Sequence, residues 1–432
     1  MNLFNRYIII PKRLVQRLYI LIFAIVPLID SMNGYFLKGG FEGSLTIGSI
    51  YRMVLILFVA CAVIGHLSKR NFICLSIIIG YFIFACIIQK VSGINSKSLL
   101  SEVQNLMQWG LIFVLFFSYS DLYRDKVLRN KEIEIIFSVW ELLVPLTLII
   151  PYVLGIGYNT YYDTGYKGFY YSTNALTYFL IILYTFSIYK LLKRITIIKL
   201  LKVYMIGYSL AMLGTKSGYV AIVVIPIICT SMRLKDIFTK FKLKNISLSK
   251  KQVKIYSVYL VLIIISLLGI AKLFTSTYSS QIQKIISRHT YFWGKSSSLI
   301  SFITTGRSDR IADFNSYIKE SGSYLFRFIF GSGTSIKTDV GVIEMDYFDA
   351  FFMFGLIGTC IFIAFSIYVY MFREKENRVE GIAYILTIAY SFLGGHVWNN
   401  AFATTCFAMV CAKLISKKKC MKKYRIKKYQ NL

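Results

Sequence analysis

The chain is 432 residues long, and 56% of its residues are hydrophobic while only 16% are charged. Its mean hydropathy of +0.60 leaves too little polar surface to cover a soluble globule of this size, which favours a membrane protein. The 50 Lys and Arg residues against 20 Asp and Glu give a formal charge of +30, but they stand in short clusters between apolar runs. This arrangement is typical of the cytoplasmic loops of a membrane protein and argues against nucleic-acid binding.

Twelve apolar runs are long enough to cross a bilayer core as helices, which takes about 20 residues for a core of about 30 Å. They lie near residues 18–35, 47–66, 72–90, 102–119, 133–154, 173–190, 197–213, 217–232, 255–274, 347–371, 380–395 and 397–415. The fourth run carries Glu102 and Asn105 in its first half, so its polar face is expected to point at protein or water. The sequence therefore predicts an all-α polytopic membrane protein of about twelve transmembrane helices.

Basic residues predict the orientation of these helices. With the N-terminus inside, 35 Lys and Arg residues fall on the cytoplasmic side and only 7 in the short outer loops, as the positive-inside rule requires. The long segment 276–346 is predicted to be one large extracytoplasmic loop between helices 1–9 (1–275) and helices 10–12 (347–415). A basic cytoplasmic tail follows at 416–432. We expect a multi-pass protein of a bacterial cytoplasmic membrane with both termini inside.

Several kinds of chemistry lack sequence support. The chain has no Walker sequence, GxGxxG motif, zinc-ligand spacing or HExxH motif, so no cofactor and no metal is predicted. Seven of the eight cysteines lie in apolar runs, and Cys420 lies in the basic tail, so we expect neither disulfides nor metal ligation. The basic tail is expected to contact anionic membrane lipid, and no nucleic-acid partner is predicted.

Two arginines stand in the long loop, in residues 304–320, which read TTGRSDRIADFNSYIKE. The pattern indicates the start of an amphipathic helix with Arg307 and Arg310 on one face. Guanidinium groups bind phosphate oxygens in pairs, so the two side chains suit a lipid-linked diphosphate at the bilayer surface. Alternatively, Arg310 pairs with Asp313 and Arg307 is merely solvated.

Three carboxylates enter the tenth predicted span in GVIEMDYFDAFFMFGLIG, residues 341–358. A carboxylate deep in a membrane helix costs about 2.5–3.5 kcal/mol, so Asp349 should face the protein interior or a water-filled cavity. From spacing alone, Glu344 and Asp346 fit a general base on a sugar hydroxyl, a divalent-cation site, or interfacial charges without a chemical role.

Three further features fall in predicted outer turns. Lys216, in MLGTKSGYVA, runs against the positive-inside bias and is a candidate functional cation. His396, in SFLGGHVWNNAF, lies in the last outer turn, where a structural role is an open alternative. The segment YNTYYDTGYKGFYYSTN at 158–174 could stack on sugar faces or form an interfacial aromatic belt.

The order of these motifs, GRSDR in a long outer loop, then EMDYFDAFFMFGLIG, then GGHVWNN, resembles the O-antigen polymerase and ligase superfamily, specifically its Wzy-type polysaccharide polymerases. The resemblance implies a metal-independent, inverting glycosyltransferase whose donor is an undecaprenyl-diphosphate-linked oligosaccharide. A chain-length regulator is a further candidate partner.

The resemblance also implies roles for single residues. Arg307 matches the arginine of the family's GR motif and would bind the diphosphate, while Lys216 stands where relatives have the arginine of an SR-like hairpin. Glu344 falls where ligases place a histidine, so it would be the base, with Asp346 orienting it or the acceptor. His396 has a counterpart without an assigned role.

Two other functions compete with polymerisation. A ligase of the same superfamily would share the fold, and the histidine missing at position 344 argues mildly against it. A lipid-linked oligosaccharide flippase would also have about twelve helices, but such transporters usually have short loops and charges at mid-membrane. The polar residues here are concentrated outside, which favours an enzyme.

Overall fold

The computed structural model describes residues 11–40, 46–63, 66–161, 164–244, 283, 287, 290–320 and 323–430, with the backbone alone for 236–244, 338 and 416–430. The fold is mostly helical. Its elements are α1 (Lys12–Ala24), α2 (Val26–Lys38), α3 (Ile47–Val63), α4 (Lys69–Val91), α5 (Leu99–Arg124), α6 (Asn130–Val153), β1 (Tyr158–Tyr161), β2 (Thr164–Gly168), α7 (Thr173–Lys193), α8 (Ile197–Met212), α9 (Lys216–Lys244), α10 (Leu299–Thr304), α11 (Arg307–Glu320), α12 (Tyr324–Phe330), α13 (Ser335–Asp339), α14 (Asp346–Met371), α15 (Arg378–Leu393) and α16 (Ala401–Gln430).

Within the described residues, seven helices are long and apolar enough to cross a membrane. They are Lys12–Lys38 (α1 with α2), Lys69–Val91, Leu99–Arg124, Asn130–Val153, Thr173–Lys193, Lys216–Lys235 and Asp346–Met371. Four other predicted spans coincide with the shorter helix α3, helices α8 and α15, and the apolar first half of α16. The ninth predicted span, 255–274, lies outside the described residues, so the count of twelve crossings stays a prediction.

The described part of the predicted extracytoplasmic loop is also helical. Four short helices, α10 to α13, occupy it between Leu299 and Asp339. Strands β1 and β2 depart from the all-α expectation, because they pair antiparallel in the aromatic-rich segment. Tyrosine and threonine favour extended backbone, and Gly165 takes a φ of 70° at the turn side of β2.

The chain divides into two compact units. Unit 1 comprises Met1–Trp140, Tyr170–Phe179 and Ser297–Leu432, and unit 2 comprises Glu141–Phe169 and Leu180–Ser296. In unit 1, α5 packs against α16, α3 and α4, and α14 packs against α12 and α4. Edge-to-face aromatic contacts fill this core, with the Trp398 ring 4.9 Å from that of Phe362 and 5.1 Å from that of Phe407.

The polar first half of α5 confirms one prediction. Glu102 and Asn105 are buried inside unit 1. Glu102 Oε1 accepts hydrogen bonds from Asn95 Nδ2 at 2.7 Å, from the Thr334 backbone N–H at 3.2 Å and from the Thr334 hydroxyl. The polar face therefore meets protein, as the cost of exposing such groups to lipid requires.

Helix α14 is broken at Gly355, whose φ and ψ are 69° and −170°. The break leaves backbone carbonyls without helical partners, and other segments supply donors. The Ser332 and Gly333 N–H groups donate to Phe352 O at 2.8 Å and to Met353 O at 3.0 Å, and Tyr81 donates to the next carbonyl at 2.7 Å. A candidate membrane span can hold irregular backbone only where it is satisfied by protein in this way.

Candidate functional site

Arg307 is the first residue of α11, directly after a tight turn. Thr305 and Gly306 both have positive φ, 59° and 78°. The turn is held by Ser308 N–H, which donates to Thr304 Oγ1 at 3.2 Å, and by Ser301 Oγ, which donates to Asp309 at 2.5 Å. These local bonds fix the direction in which α11 begins, and thereby the position of Arg307.

The Arg307 guanidinium binds the Glu344 carboxylate. Nη2 and Nε both donate to Glu344 Oε2, at 2.7 and 3.2 Å. Asn174 Nδ2 donates to the same oxygen at 3.3 Å. Among the described residues no donor contacts Oε1, and the Glu344 side chain is 34% exposed. Glu344 therefore has one oxygen held by protein and the other open.

The remaining guanidinium nitrogen of Arg307 has weaker partners. Nη1 donates to the backbone carbonyls of Leu393 at 3.3 Å and Thr304 at 3.4 Å. Both distances exceed the usual range of about 2.7–3.2 Å. Since the Arg307 side chain is 17% exposed, an incoming anion can replace these contacts with little loss.

The backbone of the turn containing Glu344 packs closely against the backbone at Gly395, directly before His396. Glu344 and His396 both have left-handed backbone, with φ of 65° and 63°. A Cβ added at Gly395 would clash with the Glu344 carbonyl, so only glycine permits this approach. Non-glycine residues in the left-handed region cost about 1 kcal/mol or more each and gather at functional sites.

Two buried aspartates hold these two turns. Asp349 Oδ1 accepts the Ile343 N–H at 3.0 Å, and Asp346 Oδ2 accepts the Val397 N–H at 3.0 Å. Asp346 is 1% exposed and Asp349 2%. The expectation that Asp349 faces the interior is confirmed. Asp346, predicted at the interface beside the base, is instead buried and bonded to backbone, which makes it a positioning residue for the His396 turn.

Electrostatic effects keep Glu344 ionised. Burial raises the pKa of Glu344, but the hydrogen bonds and charge of Arg307, together with the charge of Arg310, outweigh it and hold the pKa below its ordinary value. Burial lowers the pKa of His396 below its ordinary value, and the charges of Arg307 and Lys337 add to this against the opposing effects of Glu344 and Asn399. The imidazole is therefore neutral at pH 7.

Arg310 lies one helical turn after Arg307 on α11. Its Nη1 donates to the Val342 carbonyl at 2.9 Å. The contact ties α11 to the segment that leads into Glu344. Arg310 therefore supports the Glu344 turn and adds positive charge to the site, whereas the alternative expectation placed its guanidinium on Asp313.

Lys216 belongs to unit 2 and begins α9. It follows Gly214, whose φ is 67°, and the buried Thr215, whose hydroxyl accepts the Gly218 N–H at 3.1 Å. The aromatic-rich hairpin also lies in this unit, where Gly165 packs on the Leu213 backbone. Lys216 remains a candidate functional cation of unit 2.

Sequence reasoning missed Asn174 and Lys337. Asn174 lies in the first turn of α7, where its own carbonyl accepts a hydrogen bond from Tyr390 at 3.0 Å. Its signal was weak, because a single amide at the edge of an apolar run is common. Lys337 lies on α13, and its charge acts on both His396 and Asp349. One basic residue within a long loop gave no reason to choose it.

The arrangement contains an arginine, an exposed carboxylate oxygen and a neutral imidazole, which together can bind an anion and accept a proton. In the part of the chain that the structure describes, no group of His, Cys, Asp and Glu side chains is arranged to hold a metal ion. The chain matches no protein-family model, and no curated protein matches its sequence.

Proposed function

We propose that this chain is a membrane glycosyltransferase that polymerises lipid-linked oligosaccharide repeat units into a surface polysaccharide on the outer face of the cytoplasmic membrane. Its donor is a glycan carried on undecaprenyl diphosphate. The observation that carries the proposal is the contact of Arg307 with Glu344 beside His396. These are residues from three separate motifs of the resemblance, and they lie together at one place in unit 1.

Arg307 is suited to the diphosphate. Its Nη1 has only long contacts with two carbonyls, and a guanidinium makes charge-assisted hydrogen bonds with phosphate oxygens. Cleavage of the sugar–phosphate bond leaves additional negative charge on those oxygens. A cation already held in place stabilises that charge without reorganisation, and such preorganisation is usually the largest catalytic effect.

Glu344 is suited to the acceptor. Its Oε1 is open to a ligand, while Oε2 is held by Arg307 and Asn174. In the proposed step the acceptor hydroxyl oxygen bonds to the anomeric carbon and its proton passes to Glu344. The bond between that carbon and the phosphate oxygen breaks, and its electron pair leaves with the diphosphate. Attack from the face opposite the leaving group inverts the anomeric centre.

The membrane setting also supports a lipid-linked substrate. Glu344 stands two residues before α14, a helix long and apolar enough to span a bilayer. A site at the end of such a helix meets the depth at which a lipid diphosphate lies. Two further candidates hold the site in place: Arg310 binds the Val342 carbonyl before Glu344, and Asp346 accepts the Val397 N–H after His396.

The test replaces Arg307 by Ala and Glu344 by Gln in the native host, with Lys319→Ala as control because Lys319 is an exposed residue on the same helix. Membrane levels are checked by immunoblot, and surface glycan is resolved on gels. We expect both variants to lose the ladder of repeat lengths and to keep single-repeat glycan, while the control keeps the ladder.

Other outcomes separate the competing functions. A full ladder in both variants would contradict the site assignment. Deletion of the whole chain that removes every glycan band, including the single repeat, would favour the ligase or the flippase, because both act on glycan that no polymerase has extended.

A further inference from the structure

Lys337 is a cation with few partners in a buried polar cluster. It lies on α13, in the predicted extracytoplasmic loop, and contacts the first half of α5. Its Nζ donates to Asn105 Oδ1 at 2.8 Å, and among the described residues no carboxylate lies within ion-pair distance of it. An ammonium has three N–H donors, so this one has two that no described protein group takes.

Two further N–H groups also lack a hydrogen-bond partner among the described residues. Asn105 Nδ2 and Arg52 Nε are buried atoms without a hydrogen-bond partner in the described structure. Asn105 holds Lys337 directly, and the charge of Arg52 on α3 acts on Lys337. Buried N–H groups are rarely left unpaired, since each costs about 1–3 kcal/mol. Three segments of unit 1, α3, α5 and α13, thus each carry a donor that no described group takes, and two of these donors are cationic.

The nearby carboxylates are largely committed elsewhere. Glu102 Oε1 accepts from Asn95 and Thr334, and Asp349 Oδ1 accepts the Ile343 N–H. The charge of Asp30 acts on Arg52, and Asp30 Oδ2 is itself buried without a partner. These carboxylates leave two N–H groups of Lys337 and the Asn105 Nδ2 group without a described partner, and an acceptor-rich ligand would satisfy them.

We propose that Lys337, Arg52 and Asn105 form a second anion-binding subsite, which takes a phosphate or carboxylate group of the glycan substrate. Lys337 stands seven residues before Glu344 in the chain, and its charge, like that of Arg307, acts on His396. One extended anionic ligand can occupy both subsites. N–H donors left without partners in a half-buried site are costly to a fold, and a bound anion would remove that cost.

The identity of the ligand rests on the proposed function, whereas binding of an anion does not. The test uses the full chain purified in lipid nanodiscs, with pyrophosphate and glucuronate as probes for the two sources of negative charge. The variants are Lys337→Met and Arg52→Gln, and Lys319→Met is the control for loss of an exposed lysine in the same loop. Affinity is measured by calorimetry and folding by the Tm.

We expect Lys337→Met and Arg52→Gln to weaken binding of the same probe at least tenfold, while Lys319→Met binds as the parent does. If that probe is pyrophosphate, the subsite takes lipid phosphate. If it is glucuronate, the subsite takes the carboxylate of an acidic sugar. Lys337→Met should keep or raise the Tm, because it removes a buried charge and keeps the length of the side chain.

The pH dependence of probe affinity provides a second test, because a purely structural role of Lys337 would not produce it. Burial lowers the pKa of Lys337 to about 8, with the charge of Arg52 adding to the effect and those of Asp349 and Glu102 opposing it. Affinity for the probe should therefore fall as pH rises through about 8, and the neutral His396 does not titrate in that range.

Unchanged affinity for both probes in Lys337→Met would overturn the proposal, as would a parent protein that binds neither. Loss of affinity together with a lower Tm in Lys337→Met would also overturn it, since Lys337 would then act through the fold. An intact glycan ladder in Arg307→Ala would contradict the proposed function and leave these binding results unaffected.

Discussion

Arg307 Nη2 lies 2.7 Å from Glu344 Oε2, so the first residue of α11 is joined to the turn that leads into α14. The pair unites a predicted phosphate ligand with a predicted base. An arginine that holds a carboxylate through two nitrogens orients it as well as neutralising it. In the proposed function, substrate phosphate would bind the remaining nitrogen, Nη1, whose own contacts are long.

Exchanging the two charges separates a structural ion pair from a functional one. Arg307→Glu and Glu344→Arg should each destabilise the protein by about 1 kcal/mol or less, because both groups are partly exposed and screened by solvent. The double variant should recover part of this loss. Activity should stay absent in all three, since the diphosphate would meet a carboxylate. Thermal melts and the glycan ladder provide the measurements, and a double variant with a normal ladder would show that only the pair matters.

The pH dependence of the reaction should depend on Arg307. Arg307 holds the pKa of Glu344 below its ordinary value of 4.5, so the pair stabilises the fold above about pH 4.5 and loses that effect as pH falls through the lower folded value. In Arg307→Gln the effect of burial prevails and the pKa of Glu344 rises. We expect the acid limb of the residual activity to move to higher pH. Initial rates in a purified system test this, and a profile that does not move would exclude Glu344 as the titrating base.

Backbone strain at His396 predicts which substitutions the turn tolerates. Its φ of 63° suits asparagine or glycine, whereas a β-branched residue is strongly disfavoured there. His396→Asn should leave the Tm within a few degrees, and His396→Val should cost about 1–2 kcal/mol. Melting curves of the two variants test whether the backbone conformation restricts the residue at position 396. Equal melting temperatures would mean that the turn relaxes on substitution.

The broken helix α14 should depend on glycine at its break. A Cβ at Gly355 would clash with the Ile329 carbonyl, and its φ is positive. Gly355→Ala should prevent folding or lower the Tm by several degrees, corresponding to about 3 kcal/mol or more. Gly110→Ala on α5 is the matched control, because a Cβ there meets no atom within 4 Å. Yield of folded protein after detergent extraction measures both, and a stable Gly355→Ala variant would argue against the kink.

The sequence alone determined the long apolar helices in the described part of the chain. Apolar runs of bilayer length are a local signal, since a helix satisfies its own backbone hydrogen bonds wherever it lies in a membrane. Eleven of the predicted spans accordingly coincide with helices. That the polar face of α5 avoids lipid also followed from sequence, because the cost of exposing a carboxylate to lipid does not depend on knowing its partner.

The tertiary structure decided which polar residues meet. The contact of Arg307 with Glu344 spans 37 residues, and that of Asn174 with Glu344 spans 170, so no local pattern encodes either one. Asp346 looked like an interfacial carboxylate and became a buried ligand of the Val397 backbone. Lys337, which no sequence pattern singled out, is held by Asn105 on α5. Hydrogen bonds and ion pairs act over only a few ångströms, and packing of helices far apart in sequence brings these groups within that range.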